Sequence, residues 1–298
     1  MAQTTRTVKV DPQLAPTVKQ ALVDAGFELS TAPYAFFRAK GAGLTATFYE
    51  KGKLVLQGAD IDLWAERLTG QGVPEDSFVV SMRRHPEPPP ACWIGIDEAG
   101  KGDYFGPLVV VAAAIRRDQV PLIRELGVDD SKRLSDKKAL ELARELKAVC
   151  RFSQVVIGPE RYNALYSRIG NLNRLLGWGH ATALEGALEY APDATWALSD
   201  QFATDPNVIL SQRKERGRAI ELSQWTKAES DPAVAAASVI ARAEFLWQLR
   251  NLGQVAGQQL PKGAGGPVLA AAREIVAREG RGVLERIAKL HFRTTEQL

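Results

Sequence analysis

The chain is poor in cysteine and carries no long apolar run. Two cysteines in 298 residues, Cys92 and Cys150, are too few for a disulfide framework or a cysteine-built zinc cluster. Both sit in apolar surroundings and read as reduced core residues. No stretch approaches the ~20 apolar residues of a membrane span, and no charged-then-apolar segment resembles a signal peptide. A soluble cytoplasmic protein with no membrane partner is expected. Excess charge is also scarce: 38 basic against 35 acidic side chains leave a net of +3, so only local patches can argue for nucleic acid. Neither a P-loop nor a dinucleotide glycine fingerprint occurs. Nothing points to an oligomer, and a monomer is expected. What is present, 45% hydrophobic and 24% charged residues, suits a globular chain long enough for two domains with a buried core.

The clearest boundary is Arg83-Arg84-His85-Pro86-Glu87-Pro88-Pro89-Pro90. Clustered prolines favour an extended spacer over a sheet or helix interior. The pattern predicts an N-terminal domain over 1–82, a linker over 83–91 and a C-terminal domain over 92–298. Within the first, strands are expected at 5–10, 35–39, 44–49, 54–57 and 78–82, with helices at 15–25 and 60–68, the latter capped by Asp60. Between Tyr34 and Gly58, Arg38, Lys40, Lys51 and Lys53 oppose only Glu50, and Tyr34, Phe36, Phe37, Phe48 and Tyr49 interleave with them. Such a mixture suits a nucleic-acid face; core aromatics behind a solvated polar face explain it equally well. The second domain alternates strands (93–97, 109–115, 151–157, 195–198, 220–225) with helices (137–149, 178–189, 233–251, 268–279, 283–290). A mixed α/β fold follows. Asp231 and Pro232 form a well-made helix entry, as N-cap and first-turn proline.

The first strand of this domain ends in Asp97-Glu98 and opens onto Ala99-Gly100-Lys101-Gly102-Asp103-Tyr104-Phe105-Gly106-Pro107. Buried acids are costly unless paired or metal-bound, and glycine lets backbone approach a ligand closely. The pattern suggests a divalent cation beside a phosphate-contacting loop. Magnesium takes oxygen ligands, and phosphodiester hydrolysis commonly uses two such ions. Adjacent strand residues face opposite ways, so Asp97 and Glu98 share one site only where the strand ends or bends. Asp200, ending a second apolar strand, and Glu229, just before the long helix, are further candidates, although each alone reads more readily as a turn or cap residue.

Ile94-Gly95-Ile96-Asp97-Glu98-Ala99-Gly100-Lys101-Gly102-Asp103-Tyr104-Phe105-Gly106-Pro107 resembles the signature of type 2 ribonucleases H, ribonuclease HIII in particular. So do Asp130 to Ser135, Tyr162-Asn163, Asn171 to Asn173, Trp178 to Ala181, Ser199 to Phe202, Ala228 to Ser230, Ala235 to Arg242 and Leu260 to Ala264. The resemblance implies a ribonuclease H-like mixed sheet with flanking helices, preceded by a small α+β TATA-binding-protein-like domain that binds substrate. It implies endonucleolytic hydrolysis of the RNA strand of RNA–DNA hybrids, leaving 5′-phosphate and 3′-hydroxyl ends. It implies Mg²⁺ or Mn²⁺ held by Asp97, Glu98, Asp200 and Glu229, with Gly100-Lys101-Gly102 on the ribose-bearing backbone. Ser131 and Lys132 could contact phosphate, although a helix-capping or surface role explains them equally well. The extra domain, and lysine within Gly100-Lys101-Gly102, favour cleavage within hybrid tracts over incision at a lone ribonucleotide.

Other marked residues carry less. Ser211 to Arg218 is a basic loop that could grip substrate, although a solvated charged loop is the commoner meaning. His180 reads as a satisfied core histidine rather than a base. His291 has little to assign it.

Overall fold

The computed structural model describes residues 4–58, 61–70, 86, 90–128, 134–203, 205 and 207–298. The chain divides into two compact units, Met1–Arg84 and His85–Leu298. The expected strand at 78–82, Asp60, most of the proline-rich spacer, and Ser131 and Lys132 lie outside the described residues.

In the first unit β1 (Thr4–Lys9), α1 (Ala15–Asp24), β2 (Glu28–Ser30), β3 (Ala35–Gly41), β4 (Leu44–Tyr49), β5 (Lys53–Gly58) and α2 (Ile61–Thr69) follow in order. The strands form an antiparallel sheet ordered β1-β5-β4-β3-β2. Alternation along β3, β4 and β5 turns Phe37, Ala39, Ala46, Phe48, Leu54 and Leu56 into a core with Val18 and Leu22 of α1 and Trp64 of α2. The interleaved aromatics therefore divide. Phe37 and Phe48 are core, whereas Tyr34 is 83% and Phe36 47% exposed, and Arg38, Lys40 and Lys53 are exposed too. The sequence pattern does not anticipate β2, because its three residues are all exposed and it is held by backbone pairing to β3.

The second unit runs β6 (Cys92–Ala99), β7 (Leu108–Arg116), α3 (Asp136–Val149), β8 (Arg151–Ile157), α4 (Pro159–Ile169), α5 (Leu172–Tyr190), β9 (Trp196–Asp200), β10 (Glu221–Trp225), α6 (Pro232–Val255) and α7 (Gly266–Glu279), with shorter helical turns between them. Its sheet is ordered β10-β9-β6-β7-β8. β6, β7 and β8 are antiparallel neighbours, and β9 and β10 continue the sheet parallel to β6. α6 packs on β6 and β7 and is backed by α3, while α5 covers the other face. The period of two sorts the strands between two cores. Trp93, Val109, Val111 and Ala113 meet the alanines of α6. Ile94, Ile96, Val110 and Ala112 meet Ala183, Leu184 and Ala187 of α5.

Two residues seat α6. Asp231 accepts from the amides of Ala233 and Val234 and from Trp93 Nε1 at 3.1 Å, which fixes the helix start over β6. A Cβ on Gly95 would lie 2.1 Å from the backbone of Ala233 and Val234, so glycine is what lets the helix rest directly on the strand.

Several expectations need correction. α5 begins at Leu172 rather than Trp178: Gly177 and Gly179 look like breakers but are buried within the helix, Gly177 against the backbone of Val208. α4 is an added helix, capped at its end by left-handed Gly170. The basic segment is no open loop. Glu215–Arg218 is helical, and Arg216 pairs with Glu185 and Glu189 of α5. The helix expected over 283–290 is confined to Leu284–Ile287, because Ala288 turns extended and bridges to Phe105. Cys92 and Cys150 are free and buried; burial pushes their thiols up to about 11 and about 12.

Candidate active site

β6 does not end at Asp97. It stays paired with β7 through Ala99, whereas its pairing with β9 stops at Ile96 opposite Ser199. The two strands part there, and Asp97, Glu98 and Asp200 lie at the opening. The strand alternation also holds, so the adjacent acids face different helices. Asp97 is on the α6 side, hydrogen-bonded by Ser238, and its Oδ1 accepts the Glu98 amide at 2.8 Å. Glu98 is on the α5 side, with Oε2 3.0 Å from His180 Nε2 and Oε1 3.5 Å from Lys101 Nζ.

His180 is fully buried, as a core residue should be, but it is a partner of Glu98 and not a bystander. Its Nδ1 lies 2.9 Å from Ser199 Oγ, and Ser199 donates to the carbonyl of Asp200 at 3.0 Å. A continuous polar chain thus joins Glu98 to Asp200 through the sheet. Asp200 Oδ1 accepts the amide of Ala228 at 2.9 Å, which docks the turn carrying Glu229 onto the end of β9. Glu229 itself is part-buried. His291 stands elsewhere, stacked on Tyr166 with ring centroids 4.2 Å apart.

Electrostatics separate the two acids. Burial holds the Asp97 carboxyl well above the ordinary range; the charges of Glu98 and Asp200 add to this, against the hydrogen bonds from Ser238 and the Glu98 amide. Glu98 goes the other way: its burial is outweighed by the hydrogen bond and charge of His180 and by Lys101. Repulsion among Asp97, Glu98 and Asp200 would be relieved by a cation, and an all-carboxylate donor set is the chemistry of hard divalent ions. The residues present therefore fit such a group. Among the described residues no three acids or histidines are already gathered for one ion.

The loop after β6 turns on Gly100, whose φ of 84° and close approach to the Pro107 carbonyl admit no side chain. Gly102 is exposed, and a Cβ there would meet nothing within 4 Å. Lys101 Nζ lies 5.4 Å from the centroid of the Phe202 ring, which also packs on His180. His180, Ser199, Ser238 and Phe202 are the residues that sequence reasoning did not place at the site. Two of them, Ser199 and Phe202, flank Asp200 in the chain, and all four lie in segments that carry the family resemblance, which marks the segment but not the role of the residue.

The model of the ribonuclease HII family matches residues 94–295, and that of a domain of unknown function matches residues 7–75. Ribonuclease HIII of Protochlamydia amoebophila is 37% identical over 295 residues, 97% of this chain and 95% of its own length. Ribonuclease HIII of Chlamydia muridarum is 35% identical over 289 residues, 96% and 94% of the two chains. Among solved structures, Bst-RNase HIII in complex with Mn²⁺ aligns with a TM-score of 0.65 at 28% identity, covering 99% of this chain and 97% of that one. Aquifex aeolicus RNase H3 aligns with a TM-score of 0.56 at 27% identity, covering 96% and 99%.

Proposed function

This chain belongs to the ribonuclease HII family and is a ribonuclease H enzyme, and from that premise we propose that it cuts the RNA strand of RNA–DNA hybrids internally, within hybrid tracts, leaving 5′-phosphate and 3′-hydroxyl ends. The observation that supports this most is the opening between β6 and β9, where Asp97, Glu98 and Asp200 lie around one gap with Glu229 on the adjoining turn. These four would hold Mg²⁺ or Mn²⁺. Such ions, when bound, activate water and stabilise developing charge on phosphate oxygens.

The chain's own groups do the rest. His180 holds Glu98 in one orientation, and Ser238 does the same for Asp97. Gly102 presents bare backbone to the ribose, where the 2′-hydroxyl tells RNA from DNA. Lys101, paired with Glu98 in the free protein, exchanges that partner for the substrate backbone. The first unit is the substrate-binding domain of this reading, with 1–82 as its extent, a TATA-binding-protein-like architecture and 83–91 as the tether. Tyr34 and Phe36 supply stacking surfaces beside Arg38, Lys40 and Lys53.

The deciding experiment compares cleavage of a long labelled hybrid with that of a DNA duplex carrying one ribonucleotide, with Mg²⁺ or Mn²⁺ present. Internal cuts in the hybrid and little incision of the second duplex are expected. Equal or better cutting at the lone ribonucleotide overturns the tract preference, and no cutting of either overturns the activity.

A further inference from the structure

Lys289 is fully buried, yet no part of the site described above uses it. Its Nζ donates to two main-chain carbonyls, Asp103 O and Gly106 O, each at 2.7 Å, with Phe105 O at 3.5 Å. All three carbonyls belong to the loop that joins β6 to β7. The surrounding segment is stitched to the same loop. Lys289 N donates to Tyr104 O at 2.8 Å, Gly106 N donates to Ile287 O at 2.9 Å, and Ala288 bridges to Phe105. Asn163 of α4 braces it from behind, donating to Ala288 O and accepting from Leu290 N, each at 2.9 Å. On the loop's other side, Asp103 Oδ1 accepts the Gly263 amide at 2.6 Å.

A buried ammonium is an expensive way to hold a loop, and an apolar side chain of similar size often serves stability as well or better. What the ammonium adds is direction. Three donors on one nitrogen fix carbonyls from both ends of a tight turn, which packing alone does not do. We propose that Lys289 is a positioning residue for substrate binding: it clamps the carbonyls of Asp103 and Gly106 and so fixes where Gly100-Lys101-Gly102 meets the nucleic-acid backbone. This rests on the reading of that loop as a substrate contact.

The clamp responds to pH. The titratable and charged groups around the amine are Asp103 on the loop, Tyr162 on α4, whose ring centroid is 5.8 Å away, and His291 two residues along. Burial pushes the Lys289 amine down to about 7, against the opposing pull of Asp103. As pH rises through that value the charge-assisted donors become neutral ones and the hold on the loop weakens. Fold stability moves the other way. Above about 7 the folded state has lost a proton that the unfolded chain keeps until its ordinary lysine value, so this group makes the fold more stable as pH rises. A lysine with a purely structural role would show only that second trend.

The test is steady-state cleavage of a hybrid by the full chain and by Lys289→Met, between about pH 6 and about pH 9. For the parent, KM is expected to rise about fivefold across the range, the difference between a charge-assisted and a neutral hydrogen bond, while the melting temperature does not fall in parallel. Lys289→Met should show the high KM at every pH, with kcat changed less than KM. A parent KM that is flat with pH, or a variant that keeps the parent's rise, overturns the clamp alone. Should Lys289→Met fail to fold, the parent's KM profile decides by itself. A parent that cuts no hybrid at any pH overturns the functional reading and the substrate role of the clamp with it.

Discussion

His180 Nε2 stands 3.0 Å from Glu98 Oε2, across the junction between α5 and β6. The ring is fully buried and is anchored on its far side by Ser199, so it fixes the carboxylate from a rigid seat. Removing a side chain that orients a metal-binding carboxylate typically costs about 10–100-fold in metal affinity or activity. His180→Ala should fall in that range for hybrid cleavage, and divalent-ion titration should show a matching loss of apparent affinity. A variant with the parent's titration curve would remove His180 from the site.

Asp97 carries the opposite electrostatic burden. Its carboxyl, raised by burial and by Glu98 and Asp200, keeps a proton in the folded protein that the unfolded chain gives up near its ordinary value of 3.8. Stability from this group is therefore lost as pH rises toward neutrality, where the proposed ligand role calls for the carboxylate form. Asp97→Asn should abolish cleavage yet leave the metal-free protein more stable at neutral pH, by about 2–4 °C in melting temperature for each kcal/mol relieved. Adding Mn²⁺ should raise the melting temperature of the parent and not of the variant. Equal shifts in both would sink the assignment of Asp97 as a ligand.

Gly100 and Gly102 separate folding from recognition. A Cβ at Gly100 collides with the Pro107 carbonyl in a left-handed turn, so Gly100→Ala should destabilise the fold by about 1–3 kcal/mol. A Cβ at Gly102 meets open space, so Gly102→Ala should melt with the parent. A higher KM for hybrid in Gly102→Ala, at unchanged melting temperature, marks that position as a contact surface. An unchanged KM would mean that nothing approaches it.

Tyr34 and Phe36 offer the same kind of test in the first unit. Stacking on an aromatic side chain is worth about 1–3 kcal/mol per base, so Tyr34→Ala with Phe36→Ala should weaken hybrid binding by at least about fivefold. Lys40→Gln with Lys53→Gln should instead flatten the salt dependence of binding. Affinity and salt slope unchanged in both would leave this unit without a role in binding.

β6, β7 and β9 were legible because each is a continuous apolar run or ends in marked acids, and the cap at Asp231 was legible from Asp-Pro alone. α4 carries a legible signal in Tyr162, Leu165, Tyr166 and Ile169, which follow helical spacing. The start of α5 was hidden because Gly177 and Gly179 serve close packing rather than a break. The role of His180 had no local signal, since its partner is 82 positions away in the chain. The same holds for Lys289, which meets its carbonyls across more than 180 residues. The four acids could be nominated one by one, but the gap at whose edge Asp97, Glu98 and Asp200 stand comes from the point where β9 stops pairing, which no residue type announces.

Gly95 bears on how much the rest of the core can change. The spacing between α6 and β6 is set where main chain rests on main chain, with no side chain interposed. Exchange of the apolar residues farther along the layer alters volume and packing there, but it does not move this hard stop. Asp97, two residues along β6, and Ser238, in the second turn of α6, inherit their separation from it. Variation in the hydrophobic layer is thereby insulated from the geometry of the acids, and the burden of keeping that geometry falls on a single hydrogen atom in place of a methyl group.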